Sequence, residues 1–336
     1  MMQKNEYETL ELEFDALMIK HWGIVLMKNG KCLNIGEVAV SSTLQDLVTG
    51  TIIACAIPYR LKSEHKRPSL SHGRVEAFAW AFDYHTEIKN KLSAVINKMC
   101  EVFQLDRDSI QSYADISPFD DREIGYLSGL GSLGKNHLLI HPELGTQFFI
   151  GYIVVKDRNL FKDLPAHQRL YPKHDQRCEG CDNCTSSCPT SVCGFGVTDR
   201  MACLSALTQT KSEIQVAHRE LFKIRLYGCS ICQEVCPANI EALIVPLLSS
   251  ETSNWIDLFD LLRLNNKQFK EQYGSMGFAW RSLWVYKRNA LLILGNSKSI
   301  EIYQRLLKLS VLKNDEKLRE YYNWAINSLC VSTADS

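Results

Sequence analysis

The chain has 336 residues, 46% of them apolar and 23% charged, with 38 Lys+Arg balanced by 38 Asp+Glu. That composition belongs to an ordinary folded protein and excludes a disordered chain or a small disulfide-stapled scaffold. The longest apolar stretches are strand-sized, well short of the roughly 18 residues of a spanning helix, and the acidic N-terminus has no apolar signal core. A cytoplasmic protein with no membrane segment is therefore expected.

Residues 5–20 have helical spacing, and 51–59 (TIIACAIPY) read as a buried strand because the run is short, apolar and partly β-branched. In 60–74 (RLKSEHKRPSLSHGR) the bases Arg60, Lys62, Lys66, Arg67 and Arg74 face only Glu64, and Pro68 and Gly73 interrupt regular structure. The segment reads as a basic surface loop. A long helix over 76–104, a strand over 110–115 and a helix over 121–128 follow, an alternation that favours a sheet flanked by helices. GLGSLGKN at 129–136 reads as a helix end and a turn, and is no phosphate loop because Asn136 follows Gly134 and Lys135. Apolar strands are expected at 137–140 and 146–155.

The cysteines change the question. There are 13, and nine of them fall between Cys178 and Cys236, a distribution that points to a metal centre rather than to disulfides in a reducing compartment. Cys178-x2-Cys181-x2-Cys184-x3-Cys188-Pro189 has the spacing of a bacterial ferredoxin run, in which three thiolates hold one 4Fe-4S cluster and the fourth reaches a second cluster. A structural zinc site would need two CxxC pairs instead. Cys229-x2-Cys232-x3-Cys236-Pro237 is one cysteine short, and Cys203 is its natural supplement. The crossing rule then sets Cys178, Cys181, Cys184 and Cys236 around one cluster and Cys188, Cys203, Cys229 and Cys232 around the other. Cys193 is left over, either as a small buried hydrophobe or in place of Cys203. Two clusters imply a one-electron relay, and the large domain before them argues for a reductase that uses the electrons.

Beyond the cysteines, Leu283, Tyr286, Ala290 and Leu294 lie on one face of a helix that Gly295 and Asn296 would stop, and 300–310 and 315–329 repeat the pattern. Stacked helices of the HEAT type are expected. Between 281 and 320 the bases Arg281, Lys287, Arg288, Lys298, Arg305, Lys308, Lys313, Lys317 and Arg319 outnumber the acids, giving a locally basic tail.

Six segments, WAFDYH at 80–85, ADISPFDDR at 114–122, GLGSLGKN, the ferredoxin run, CLSALTQTK at 203–211 and YGCSICQEVCP at 227–237, together resemble the epoxyqueuosine reductase family in order and spacing. The resemblance covers residues 50–240, and RNALLILGN at 288–296 is similar to the family's C-terminal repeat. It implies an α+β protein with an α/β corrinoid- and substrate-binding domain (1–165), a two-cluster ferredoxin-like domain (166–245) and HEAT-like helices (246–336). The implied activity is reduction of epoxyqueuosine to queuosine at the tRNA wobble position, with electrons passing through two 4Fe-4S clusters to cobalamin. By match to the family motif, Asp115 is the proton donor, and a buried carboxyl of raised pKa suits that task. It also falls at a predicted strand end, where ligands gather in open α/β sheets.

The resemblance further places Asp115, Ser205, Cys229 and Ser230 near the corrinoid, and Arg122, Asp83, His85 and Lys211 on the substrate side toward the anticodon loop. It implies a monomer served by a low-potential donor such as a flavodoxin or ferredoxin. Two other readings are a corrinoid iron-sulfur reductase of a different substrate, such as a reductive dehalogenase, and a ferredoxin-type electron carrier. The basic segments favour tRNA, which is bound chiefly through phosphates.

Overall fold

The computed structural model describes residues 2–32, 38–46, 49–59, 66–80, 83–161, 171–196, 199–240, 242 and 253–334. The chain forms two compact units, one from residues 1–60, 84–184 and 235–248, the other from 61–83, 185–234 and 249–336. Each unit is closed by a late segment packing on earlier ones, a long-range pairing that local patterns do not announce.

The first unit is built on a six-stranded sheet in the order Val38–Ala39, Lys31–Cys32, His21–Lys28, Thr49–Pro58, Phe148–Lys156, Ile110–Ala114. Every neighbouring pair is antiparallel. Thr49–Pro58 lies inside the sheet, buried along nearly its whole length, as its unbroken apolar run requires. On one face Ile52, Ala54 and Ala56 pack with Ile124 and Leu127 of helix Asp121–Leu127. Cys55 and Gly151, which are paired across the strands, face the opposite way toward helix Tyr84–Phe103. A Cβ at Gly151 would stand 2.6 Å from Ile88 and 3.4 Å from Leu92, so only glycine lets the helix come this close. The Cys55 thiol donates to the Gly151 carbonyl at 3.4 Å, and burial pushes its pKa up to about 12, the state of an inert structural cysteine.

The helix expected over 76–104 is two helices, Ala77–Trp80 and Tyr84–Phe103. Because the sheet is antiparallel, the rule for ligands at the strand ends of parallel α/β sheets does not place Asp115; its position comes from the loop described below.

The second unit has a three-stranded sheet with His72–Val75 at its centre, parallel to Arg225–Tyr227 and antiparallel to Trp255–Asp257. The end of the expected basic loop is thus a central strand. Gly73, taken as a breaker, is required by packing: a Cβ there would lie 2.8 Å from Leu258 and 3.1 Å from Ile293. Arg74 is neutralised by Glu76 at 2.8 Å and Glu234 at 2.6 Å, while Arg60, Lys62 and Glu64 lie outside the described residues.

Helices Leu283–Gly295, Ile300–Leu307 and Arg319–Ala334 form where the periodicity places them. Leu283–Gly295 is buried on nearly every side rather than on one face, packed among Leu258, Phe259, Tyr322, Ala325 and Leu329. Arg288, counted above with the basic tail, is a core residue with no exposure.

Gly151→Val should cost about 1–3 kcal/mol through overpacking against Ile88. Urea denaturation checks this, and an unchanged midpoint would show that helix Tyr84–Phe103 can yield.

Candidate functional site

The nine clustered cysteines separate into two groups, each inside one unit. In the first unit a cavity is lined by Cys178, Cys181, Cys184 and Cys236, with Lys135 and Arg177 at its wall. The ferredoxin run is tied to the returning segment by Asn183, whose side-chain amide donates to the Val235 carbonyl at 3.3 Å. Lys135 donates to the Cys181 carbonyl and to Asp182, both at 2.9 Å, and supplies positive charge beside Cys178 and Cys181. In the second unit Cys203 lies within electrostatic reach of Cys188, Cys229 and Cys232, and Cys232 within reach of Cys229. Cys193 joins them, hydrogen-bonded to Cys232 and Cys188.

Burial raises the thiol pKa at Cys203, Cys229 and Cys236, so loading a metal there must release protons. Among the described residues no three His, Cys, Asp or Glu side chains converge as a single ion would require. The thiolates of a cubane sit on separate irons and need no such convergence.

The second group is held from behind by Arg288 and Asn289. Arg288 donates to the carbonyls of Thr210 (2.8 Å), Ser212 (3.1 Å) and Leu207 (3.2 Å), at the end of the helix Leu204–Gln209 that follows Cys203. Asn289 donates to the carbonyls of Thr208 (2.7 Å) and Leu226 (2.9 Å), the latter on the strand that leads to Cys229. Asn289 Oδ1 accepts from Arg288 at 2.9 Å, closing the network. Burial lowers the Arg288 pKa to about 10, which leaves it charged at neutral pH. One buried pair therefore fixes the two backbone segments that deliver Cys203 and Cys229.

Asp115 follows directly on the strand Ile110–Ala114, with its backbone in the left-handed region at φ 66°. Its Oδ2 accepts from Tyr84 at 3.3 Å and lies 3.2 Å from His85 Nε2. Tyr84 is stacked between the rings of His85 and Phe149, each 4.0 Å away, so an aromatic stack rooted in the sheet presents His85 to the carboxyl. The Asp115 side chain is 61% exposed. The expectation of a buried carboxyl is therefore corrected: the loop turns outward before it re-enters the fold. The helix cap belongs to Asp120, which accepts from the Arg122 amide at 2.9 Å.

The buried carboxyl of this region is Asp121, which local sequence reading does not single out. Burial, with Asp115 and Asp120 nearby, raises its pKa to about 6 against the hydrogen bonds of Tyr152 and Ser117.

The other expected residues are placed as follows. The Arg122 guanidinium is held by Asp120 at 2.5 and 2.9 Å and reaches the His137 carbonyl at 3.4 Å. The Asp83 amide donates to the Ser275 carbonyl. The Ser205 carbonyl accepts from Thr208 and Gln209. Ser230 donates to Glu76 at 2.5 Å and meets Glu234 at 2.9 Å. Lys211 is exposed and lines a cavity of about 1010 Å³ in the second unit with Lys270, Arg281, Lys317, Trp280 and Trp284, opposed by Asp315 and Glu316. Arg281 lies over the Trp280 ring at 3.6 Å and Lys317 over Trp284 at 5.5 Å.

Residues 177–239 match the 4Fe-4S double cluster binding domain, and residues 44–115 match the model described as epoxyqueuosine reductase QueG, DUF1730. The chain is 32% identical to epoxyqueuosine reductase of Listeria monocytogenes over 291 residues, 83% of this chain and 73% of that protein. It is 30% identical to that of Staphylococcus aureus over 297 residues, covering 83% and 72%. Among solved structures, an epoxyqueuosine reductase with an epoxyqueuosine-modified tRNA stem loop has a TM-score of 0.78 at 22% identity, covering 98% of this chain and 91% of that one. A Bacillus subtilis structure with its aspartate catalytic loop swung out of the active site gives 0.77 at 23% identity, covering 96% and 91%.

Arg288→Met removes the donor that serves the Leu207, Thr210 and Ser212 carbonyls. Iron should fall from about eight toward about four atoms per chain as the group around Cys203 fails to load. Iron analysis with electron paramagnetic resonance checks this, and full iron with both signals present would show that the clamp is dispensable.

Proposed function

The chain belongs to the epoxyqueuosine reductase family, and from that premise we propose that it reduces epoxyqueuosine to queuosine at the wobble position of tRNA. The observation that carries this reading is the assembly, in one unit, of a four-cysteine cavity and an outward-facing carboxyl backed by His85 and Tyr84. Cys178, Cys181, Cys184 and Cys236 would hold one 4Fe-4S cluster, and Cys188, Cys203, Cys229 and Cys232 the other. Each cluster passes one electron at a time, and converting an epoxide to an alkene and water takes two electrons and two protons.

Cobalamin is the third cofactor in this reading, and the family resemblance assigns Ser205, Cys229 and Ser230 of the second unit, and Asp115 of the first, to it; when bound, it would supply reducing chemistry for the substrate. The four positions suit a bound group in that none is fully buried. The protein's own contribution is to the leaving oxygen, which is too basic to depart without a proton. The hydrogen bonds from Tyr84 and to His85 both fall on Oδ2 of Asp115, which supports a reading in which Oδ1 faces the epoxide and His85 would resupply the proton.

Asp83, His85 and Arg122 lie on the substrate side of this reading. Lys211, with Lys270, Arg281 and Lys317, gives a phosphate-binding surface, and Trp280 and Trp284 offer faces on which unpaired bases stack. A low-potential donor of the flavodoxin or ferredoxin class would serve a monomeric, cytoplasmic enzyme.

The test uses anaerobically reconstituted protein, cobalamin, a low-potential reductant and tRNA carrying epoxyqueuosine, with mass analysis of the released nucleosides. Loss of one oxygen, dependent on cobalamin, is expected. Asp115→Asn should retain both clusters while turnover falls about 100-fold or more; unchanged turnover would remove Asp115 from the acid role.

A further inference from the structure

A residue other than glycine held at φ 66° costs about 1–3 kcal/mol, and it persists only where its surroundings over-determine it. Asp115 is such a residue, so something must fix the loop 115–120 that it opens. Midway along that loop, Ser117 Oγ donates to the Phe119 carbonyl and accepts from the Phe119 amide, both at 3.0 Å. The same hydroxyl meets the Tyr152 hydroxyl and lies 3.4 Å from Asp121 Oδ1. Tyr152 donates to Asp121 Oδ1 at 2.9 Å. Tyr152 is fully buried on the strand Phe148–Lys156, and Asp121 is the first residue of helix Asp121–Leu127. The loop is thereby pinned to both the sheet and the helix.

We propose that Asp121, with Tyr152 and Ser117, is a positioning residue for the proton donor, clamping the loop so that the Asp115 carboxyl stays against His85 and Tyr84. This rests on the reading of Asp115 as the acid. The groups facing Asp121 are Tyr152, which donates to it, Ser117, whose hydroxyl lies 3.4 Å away, and Asp115 and Asp120, whose charges oppose its own; Tyr113 stands beside Tyr152, and the Arg122 charge is taken up by Asp120. Because the folded-state pKa of Asp121 is raised to about 6, its ionised form costs the fold stability above that pH, and the cost is relieved as the pH falls toward the ordinary carboxylate range. A carboxylate kept at such a cost is accounted for by what it holds.

The test compares Asp121→Ala, Asp121→Asn and Tyr152→Phe by hydrogen exchange of the Ile116, Ser117 and Phe119 amides and by steady-state turnover on epoxyqueuosine tRNA. Asp121→Ala should speed exchange at these amides by about tenfold or more and lower kcat by about 10- to 100-fold, with KM for tRNA and iron content unchanged. Asp121→Asn, which keeps an acceptor for Tyr152, should restore most of both. If Asp121→Ala does not fold, Tyr152→Phe, which removes only the hydroxyl, carries the same expectation. Wild-type exchange and kcat in the folded variants would overturn the proposal, as would an Asp121→Asn protein as impaired as Asp121→Ala. Failure of the wild type to convert epoxyqueuosine would instead overturn the functional reading, while the exchange measurement would still decide whether the clamp exists.

Discussion

A 4Fe-4S cluster needs four thiolates at once, and in this chain neither run of cysteines forms one of the two thiol groups by itself. Cys236 comes from the second run but lines the cavity with Cys178, Cys181 and Cys184, whereas Cys188 leaves the first run to join Cys203, Cys229 and Cys232. That exchange explains the division of the fold. The boundary between the units falls between Cys184 and Cys188 and again between Cys232 and Cys236, so Cys178, Cys181, Cys184 and Cys236 fall in one unit and Cys188, Cys203, Cys229 and Cys232, with Cys193 among them, in the other.

The two groups are held by different physics. In the first unit the ties are short and polar: Lys135 on the Cys181 carbonyl and Asp182, and Asn183 on the Val235 carbonyl. In the second unit the tie is a buried charge. Among the described residues Arg288 has no carboxylate hydrogen-bond partner and is satisfied by backbone carbonyls and Asn289, an arrangement that holds chain segments in register because each carbonyl left without its donor is penalised. Helix Leu283–Gly295, through Arg288 and Asn289, therefore fixes the backbone that carries Cys203 and leads to Cys229.

What was legible in the sequence was whatever is written in spacing. The cysteine intervals separate the same two sets of thiols as the fold does, except that Cys193, left over in the spacing, sits with the second set, and apolar runs located the strands Thr49–Pro58 and Phe148–Lys156. Charge and glycine were misleading wherever distant segments decide their meaning. Arg74 and Arg288 read as surface bases and proved to be an ion-paired strand residue and a core clamp; Gly73 read as a breaker of regular structure and proved to be a packing necessity within a strand. In the loop after Ile110–Ala114 the motif singled out Asp115, but the buried carboxyl of raised pKa is Asp121, because its burial depends on Tyr152, far along the chain on the strand Phe148–Lys156.

The account stands on the division of the thiols, and Cys188→Ala tests it most directly. Mössbauer spectroscopy of the iron-57 reconstituted variant, beside the wild type and Cys184→Ala, distinguishes the two centres. The account predicts that Cys188→Ala loses the cluster that Cys203→Ala also loses and retains the one that Cys184→Ala removes. Loss of the same cluster in Cys188→Ala and Cys184→Ala, or a full iron complement in Cys188→Ala, would contradict it.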